Sequence, residues 1–302
     1  MRKWKISVLS VADSAMIVAC FFWAVGTVLT KDSISDTHGG FKVYVFNTLR
    51  LYVATGGIFV YSMLTGENIK LRRDHILRMA CLAFIGMFLF MVIFHLGLTM
   101  TTATHAGVLI GTIPLFIILI SALTGVERPT LWMVGGVIVG FAGVAALTSR
   151  NGRVGINTGD ALVILSCICW AVYTVFGKTV LKYYSPVVSM AWIFFFTSIY
   201  HTPIFFLQVT QQSWGDISPK NWINMVVAAL GALFVSNTLY YYSLDKIGPT
   251  RAGIYTNLEP AFTLLLAYMI GLESMSANHI IGFITITAGI GLTKLSPVSE
   301  KP

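Results

Sequence analysis

The feature that most constrains this chain is a succession of ten apolar runs, each roughly 20 residues long and separated by short polar connections. That length matches a hydrocarbon core roughly 30 Å thick. The runs fall at about 13–31, 41–64, 76–98, 102–124, 130–148, 158–180, 186–207, 221–244, 249–271 and 276–294. Backbone buried in lipid must satisfy its own hydrogen bonds, so runs of this length are expected as helices. The fold expected is therefore an all-α integral membrane protein. Composition agrees, because only 11% of 302 residues are charged and 56% are hydrophobic, against roughly 25% charged in ordinary soluble domains. No connection is long enough for a soluble domain, so function is expected within the membrane.

The net charge of +8 does not point to nucleic acid, because Lys and Arg sit in connections and form no basic face. Their distribution instead sets a topology. The N-terminus, the even-numbered connections and the C-terminus hold fourteen of the twenty, against five in the odd connections, with Arg50 inside a run. Both termini are expected in the cytoplasm of a cell whose plasma membrane the chain spans. Met1-Arg2-Lys3-Trp4-Lys5 before the first apolar run resembles a signal peptide, but no small-residue cleavage site follows and the run is expected to be retained. Cys20, Cys81, Cys167 and Cys169 all lie in apolar runs without metal-ligand spacing and are expected as small apolar fillers.

The chain also repeats itself. Shifted by 147 residues, Met16–Lys31 falls on Val163–Lys178, matching Trp23 with Trp170, Ala24 with Ala171, Thr27 with Thr174 and Lys31 with Lys178. At an offset of 146, Thr104, Ala106 and Gly107 fall on Thr250, Ala252 and Gly253. Pro114 falls on Pro260, Glu127 on Glu273, and Gly136 on Gly282. Two units follow, 13–148 and 158–294. Each holds five runs, an odd number, so the second copy enters the membrane from the opposite side. Inverted repeats are common in secondary transporters, whose halves exchange conformations to open on either side alternately.

The Trp-Ala-x-x-Thr-Val of each unit resembles the EamA-type branch of the drug/metabolite transporter superfamily. So do Gly125-Val126-Glu127, Gly271-Leu272-Glu273 and Leu258-Glu259-Pro260. The resemblance covers residues 13–294 and implies a ten-helix fold with a central cavity between the halves. It also implies substrates such as amino acids, amines, nucleotide-related metabolites or toxic compounds, often exported. The first unit carries Thr112-Ile113-Pro114 where the second has Leu258-Glu259-Pro260, so the acidic position has no counterpart.

Charge at membrane depth is costly and marks functional candidates. Glu259 is the acid nearest the middle of a run and Arg50 the corresponding base. Glu259 precedes Pro260, whose missing N–H frees a carbonyl and bends a helix. Its carboxylate could bind a cation, carry a coupling proton or hold an ammonium group, or it could pair structurally with Arg50. Arg50 could equally hold a substrate carboxylate or snorkel. Trp23 and Trp170 lie mid-run, with Thr27 and Thr174 four residues on and so on the same helical face. Tyr173 stands where the first unit has Gly26. Asn237 and Tyr241, beside Tyr240, and Tyr255 and Glu259, beside Asn257, repeat the pattern of aromatic plus small polar groups. Such faces suit aromatic or cationic ligands, or simply pack. His95 could line the path; His95, His105 and His201 lie on different runs and suggest no metal site. Gly136-x-x-x-Gly140 and Gly289-x-Gly291 suggest close helix contacts.

The expectation is a secondary active or facilitative transporter of a small metabolite (an amino acid, amine or related compound, exported), working by alternating access. Its cavity would be lined by runs one, three, four, six, eight and nine. The alternatives are an importer of a cationic or aromatic molecule, an intramembrane enzyme, for which no clustered nucleophile and base exists, or a non-transporting scaffold. The expected partners are a small-molecule substrate, membrane lipid and a coupling proton, with no nucleic acid, cofactor or metal, in a monomer or weak dimer.

Overall fold

The computed structural model describes residues 10–34, 39–101, 106, 109–148, 157–270 and 277–296. Among them the chain is all helix and connection, without a β-sheet. In order, α1 is Val11–Ser33, α2 Val43–Leu64, α3 Arg73–Met100, α4 Ile113–Thr124, α5 Leu131–Thr148, α6 Thr158–Val180, α7 Pro186–Val209 and α8 Pro219–Ile247. α9 is broken into Pro249–Tyr255 and Leu258–Met269, and α10 is Ala277–Lys294. Among these, α1, α2, α3, α6, α7 and α8 are long and apolar enough to cross a membrane individually. The described parts of α4, α5, α9 and α10 are shorter or interrupted.

The interruption in α9 corrects the expectation of one span over 249–271. Pro260 has no N–H to return to Thr256, and the chain tightens there. Thr256, Asn257 and Glu259 each bond three residues back, to Gly253, Ile254 and Thr256, at 3.0–3.2 Å. The Tyr255 carbonyl accepts instead from the Cys20 thiol on α1, 3.1 Å away. The equivalent arrangement occurs in the other half, where the Cys167 thiol on α6 donates to Leu109 O before α4, at 3.4 Å. Cys20 and Cys167 are therefore not plain apolar fillers. Each donates to a carbonyl beside a helix break in the opposite half; Tyr255 O is freed there by the break, whereas Leu109 O also accepts from the N–H and hydroxyl of Thr112.

The whole arrangement shows the same exchange of partners. α1 packs on α8 and α9 of the second half, while α6 packs on α3 and α4 of the first. α2 pairs with its own equivalent α7, and α5 with α10 in the most extensive helix–helix contact. In that pair a Cβ on Gly136 would meet Gly289, and one on Gly143 would meet Gly282. Helices in lipid associate by such close approach of small residues. Gly140 also faces this contact, through Gly289, but Gly291 has nothing near it and belongs to no close contact.

α1 and α6 start alike. The Asp13 N–H donates to Ser10 Oγ (3.2 Å) and Asp13 Oδ2 accepts the Ser10 N–H (2.8 Å); Asn157 and Asp160 form the same box in α6. Such a cap is worth about 1 kcal/mol. α3 and α8 each contain a widened π-helical turn, Phe84–Leu89 and Ala228–Val235. In α8, Asn237 Nδ2 donates to Ala232 O and Leu233 O, and Ser236 Oγ to Gly231 O, which covers carbonyls that the widened turn exposes. These turns lie where helices from opposite halves cross most closely. A Cβ on Gly26 of α1 would overlap the side chain of Ala232 in α8. In the equivalent crossing, one on Gly86 of α3 would overlap Tyr173 of α6. The small residue has changed helices between the copies, and the second crossing has thereby gained a tyrosine.

Candidate functional site

An aromatic cluster occupies the junction of the halves. Trp23 of α1 meets Trp170 of α6 edge to face at 6.0 Å, and Tyr240 of α8 lies 5.4 Å from Trp23 and 5.8 Å from Trp170. Tyr173 joins Trp170 at 5.2 Å and Tyr241 at 5.3 Å. Thr174 hydrogen-bonds the Tyr240 hydroxyl at 2.6 Å. Gly177 leaves room for the hydroxyl end of Tyr241. Tyr173, Tyr240 and Tyr241 are fully buried. Offset and edge-to-face contacts of this kind contribute about 0.5–1.5 kcal/mol each beyond burial. Six of the residues singled out in the sequence thus come together: Trp23, Trp170, Tyr173, Tyr240 and Tyr241 through a chain of ring contacts, and Thr174 through its hydroxyl.

The others are distributed around this cluster. Glu259, at the start of the second part of α9, accepts from Thr27 Oγ1 of α1 at 3.1 Å. It does not pair with Arg50, whose Nη1 donates to Thr30 Oγ1 at 3.1 Å. Acid and base are held separately, by threonines three residues apart on α1. Tyr255 does not share a site with Glu259, as their i,i+4 spacing suggested. The helix break lies between them, and the Tyr255 hydroxyl donates to Asp13 Oδ1 at 2.6 Å. Asp13 and Thr27 are 14 residues apart on α1, about 21 Å along its axis. Asn237 is occupied by carbonyls of its own helix, and Asn257 sits at the break, beside Gly140 of α5.

Tyr255 belongs to a polar closure at the end where α1 begins. Asp13 also takes Lys294 of α10 at 3.2 Å, and Ser243 of α8 donates to Ala12 O at 2.8 Å. Nearby, Glu127 accepts the Thr250 N–H at 2.8 Å and so caps the N-terminus of α9 from the opposite half. Burial raises the Glu127 carboxyl above its ordinary range, while the Thr250 bonds pull it back. Arg251 is spent on the carbonyls of Thr293, Lys294 and Ser296. Lys178 of α6 reaches the carbonyl and carboxylate of Asp245. At the opposite end, Asp32 of α1 takes Lys220 at 2.9 Å and Asn224 at 2.8 Å, and Asp160 accepts from Thr101. Both ends are therefore tied between halves. His105 and Glu273, named in the sequence patterns, lie outside the described residues.

His95 falls in a second polar group, with residues that the spacing arguments passed over. Its Nδ1 donates to Met91 O at 2.6 Å, which makes Nε2 the acceptor of the Asn47 amide at 3.4 Å. Arg50 lies one turn along α2 from Asn47, and His201 of α7 meets the Phe88 ring in the π-helical turn of α3 at 5.2 Å. Asn47 and His201 are each 1% exposed.

Comparison with known proteins bears on the whole chain. The profile of the EamA-like transporter family matches residues 10–149 and again 157–295. An uncharacterized transporter of Archaeoglobus fulgidus is 30% identical over 226 residues, spanning 72% of this chain and 75% of that protein. A second from the same organism is 26% identical over 96% of this chain and 98% of its own length. A WAT1-related chloroplastic protein of Arabidopsis thaliana is 24% identical over 89% of this chain and 66% of its own. A solved crystal structure superimposes with a TM-score of 0.78 over 93% of this chain and 95% of that one, at 17% identity, and so shares the fold.

Proposed function

The chain belongs to the EamA-like transporter family, and we propose on that premise that it is a secondary carrier working by alternating access between its two halves. It is a membrane transporter of small molecules by family. The observation that carries the finer reading is the exchange of partners between the copies. α1 and α6 each cross into the opposite half, and a cysteine thiol of each donates to a carbonyl beside a break there. Two near-equivalent halves joined this way have two near-equivalent arrangements available, one open to each side.

In this reading the chain crosses the membrane ten times, with the units 13–148 and 158–294 inverted and both termini in the cytoplasm. The closure around Asp13, Tyr255, Lys294 and Glu127 is the cytoplasmic gate, and the ties of Asp32 and Asp160 form the outer gate. The substrate passes through the aromatic cluster, whose rings must part to admit it. Trp23, Trp170, Tyr173, Tyr240 and Tyr241 contact it, and Thr27–Glu259 supplies the polar group beside the path. The relatives are transporters by name, and the carrier reading is accordingly preferred to an enzymatic one.

Purified protein in liposomes tests this. Flux or counterflow of at least one member of a broad panel of amino acids, amines and organic acids is expected, lost in a Trp170→Ala variant. No substrate-dependent movement across the whole panel would overturn it.

A further inference from the structure

A group of bases with no acid beside it among the described residues lies between α1, α2, α3 and α7, with His201 buried and Arg50 and His95 partly so. Arg50 donates one bond, to Thr30, and rests over the Phe46 ring at 5.8 Å. Its Nε–H is sealed from solvent and meets no acceptor among the described residues. His201 is 1% exposed, and neither of its ring nitrogens has a partner. A neutral imidazole carries one N–H and a charged one carries two, so at least one buried donor there is also unanswered. Asn47 is sealed as well, and its Oδ1 is free. Asn47 bonds His95 and lies one turn from Arg50 on α2, and α2 packs on α7, which carries His201. Among the described residues no carboxylate forms an ion pair with Arg50, His95 or His201.

A guanidinium kept at membrane depth for structure is expected beside a carboxylate or backbone carbonyls, because an unpaired buried charge is among the costliest features a fold can carry. Asp32, Asp245 and Asp13 elsewhere in this chain all take cationic partners. Arg50 takes no carboxylate among the described residues, and Glu259, the acid at comparable depth, bonds Thr27, one turn before Thr30 on α1, and forms no ion pair with Arg50. Two of the unanswered groups are donors, the Arg50 Nε–H and a His201 N–H, and no acceptor with negative charge meets them among the described residues; Asn47 Oδ1 is an unanswered acceptor beside them. The π-helical turn of α3 abuts the group through Phe88, and such turns recur at functional sites. The group is also continuous with the central cluster through rings. Trp170 meets Phe90 at 4.9 Å, Phe90 stacks on Phe94 at 5.9 Å, and Phe94 meets His95 at 5.8 Å.

We propose that Arg50, His201 and Asn47 form a binding site for the carboxylate of an organic anion, whose apolar body lies along Phe94, Phe90 and Trp170. The guanidinium fork donates to the carboxylate oxygens, the His201 N–H adds a further donor, and the Asn47 amide turns from His95 to the ligand. The assignment deepens the transport reading by giving the cargo a charge, and it rests on that reading only for how the anion arrives.

The test is binding of phenylacetate to the detergent-solubilised full-length chain, followed by tryptophan fluorescence and calorimetry, with phenethylamine as the cationic counterpart. Phenylacetate is expected to bind in preference to phenethylamine, in chloride-containing and chloride-free buffer alike. Arg50→Met should weaken it by about tenfold or more, as loss of a charge-assisted bond does, and Arg50→Lys and His201→Gln by less. A preference for phenethylamine, no detectable phenylacetate binding, or displacement by chloride would overturn the assignment. So would unchanged affinity in Arg50→Lys and His201→Gln, two variants that keep the site polar should Arg50→Met not fold. Flux in liposomes separates the two claims. Arg50-dependent binding without transport of anything leaves the site standing and removes the carrier; transport of amines without anion binding does the reverse.

Discussion

Glu259 was legible as a candidate from sequence because an acid in the middle of an apolar run is conspicuous. Its partner was not, because Thr27 lies 232 residues away and only the crossing of α1 into the other half brings them together. Replacing Glu259 with Gln keeps an acceptor for Thr27 and removes the titratable group. If Glu259 carries a coupling proton, flux in the variant becomes independent of an imposed pH gradient while exchange of substrate persists; gradient-driven uptake equal to wild type would remove that role. Glu127 makes a different prediction. Its bond to the Thr250 N–H caps α9, so Glu127→Ala should cost about 1 kcal/mol in thermal unfolding, whereas Glu127→Gln keeps the acceptor and should cost less. Its carboxyl is raised by burial, so the folded chain holds that proton more tightly than the unfolded chain. The group's contribution is then full below its unfolded value and declines as pH rises through its folded one, a decline that Glu127→Gln should abolish. His201 was weighed only as a metal ligand and set aside, because an isolated histidine in an apolar run usually finds a partner, and the lack of one shows only in three dimensions.

At the scale of the helix, length and periodicity located the elements but not their interruptions. Pro260 announced a bend, yet the sequence did not show that α9 would separate into two pieces or that a cysteine thiol would fill the freed carbonyl. The π-helical turns left no sequence signal at all, since Phe84–Leu89 and Ala228–Val235 are ordinary apolar stretches. Their consequence is the tight crossings at Gly26 and Gly86. Gly86→Ala should therefore force Tyr173 from its place and destabilise the protein by about 1–3 kcal/mol, the usual cost of overpacking, where Gly291→Ala, with open space around it, should be near neutral. Near-equal melting temperatures for the two variants would show that the α3–α6 crossing is loose. The break in α9 also sets apart Tyr255 and Glu259. Tyr255→Phe should loosen only the Asp13 closure, detected as faster alkylation of Cys20 in a chain with Cys81 replaced. Unchanged alkylation would mean that this hydrogen bond does not hold the gate.

For the whole molecule, the repeat was the most informative part of the sequence, because the offsets of 146 and 147 aligned residues that the structure then placed in exchanged positions. Gly136 against Gly289 and Gly143 against Gly282 are one contact seen twice, as are the two cysteine–carbonyl bonds. The register also showed two places where the copies have diverged, Tyr173 against Gly26 and Glu259 against Ile113; what it could not convey is what these residues touch, or that Asn47 and His201 gather near Arg50. The central claim is that the near-symmetry is used, with each end opening as the other closes. Spin labels at Arg73→Cys and Lys246→Cys across one end, and at Met100→Cys and Ser213→Cys across the other, measure this directly by double electron–electron resonance in nanodiscs. The account predicts two distance populations at each end, with substrate shifting them in opposite senses, one pair lengthening as the other shortens. Single, substrate-independent distances at both ends, or ends that open together, would contradict it.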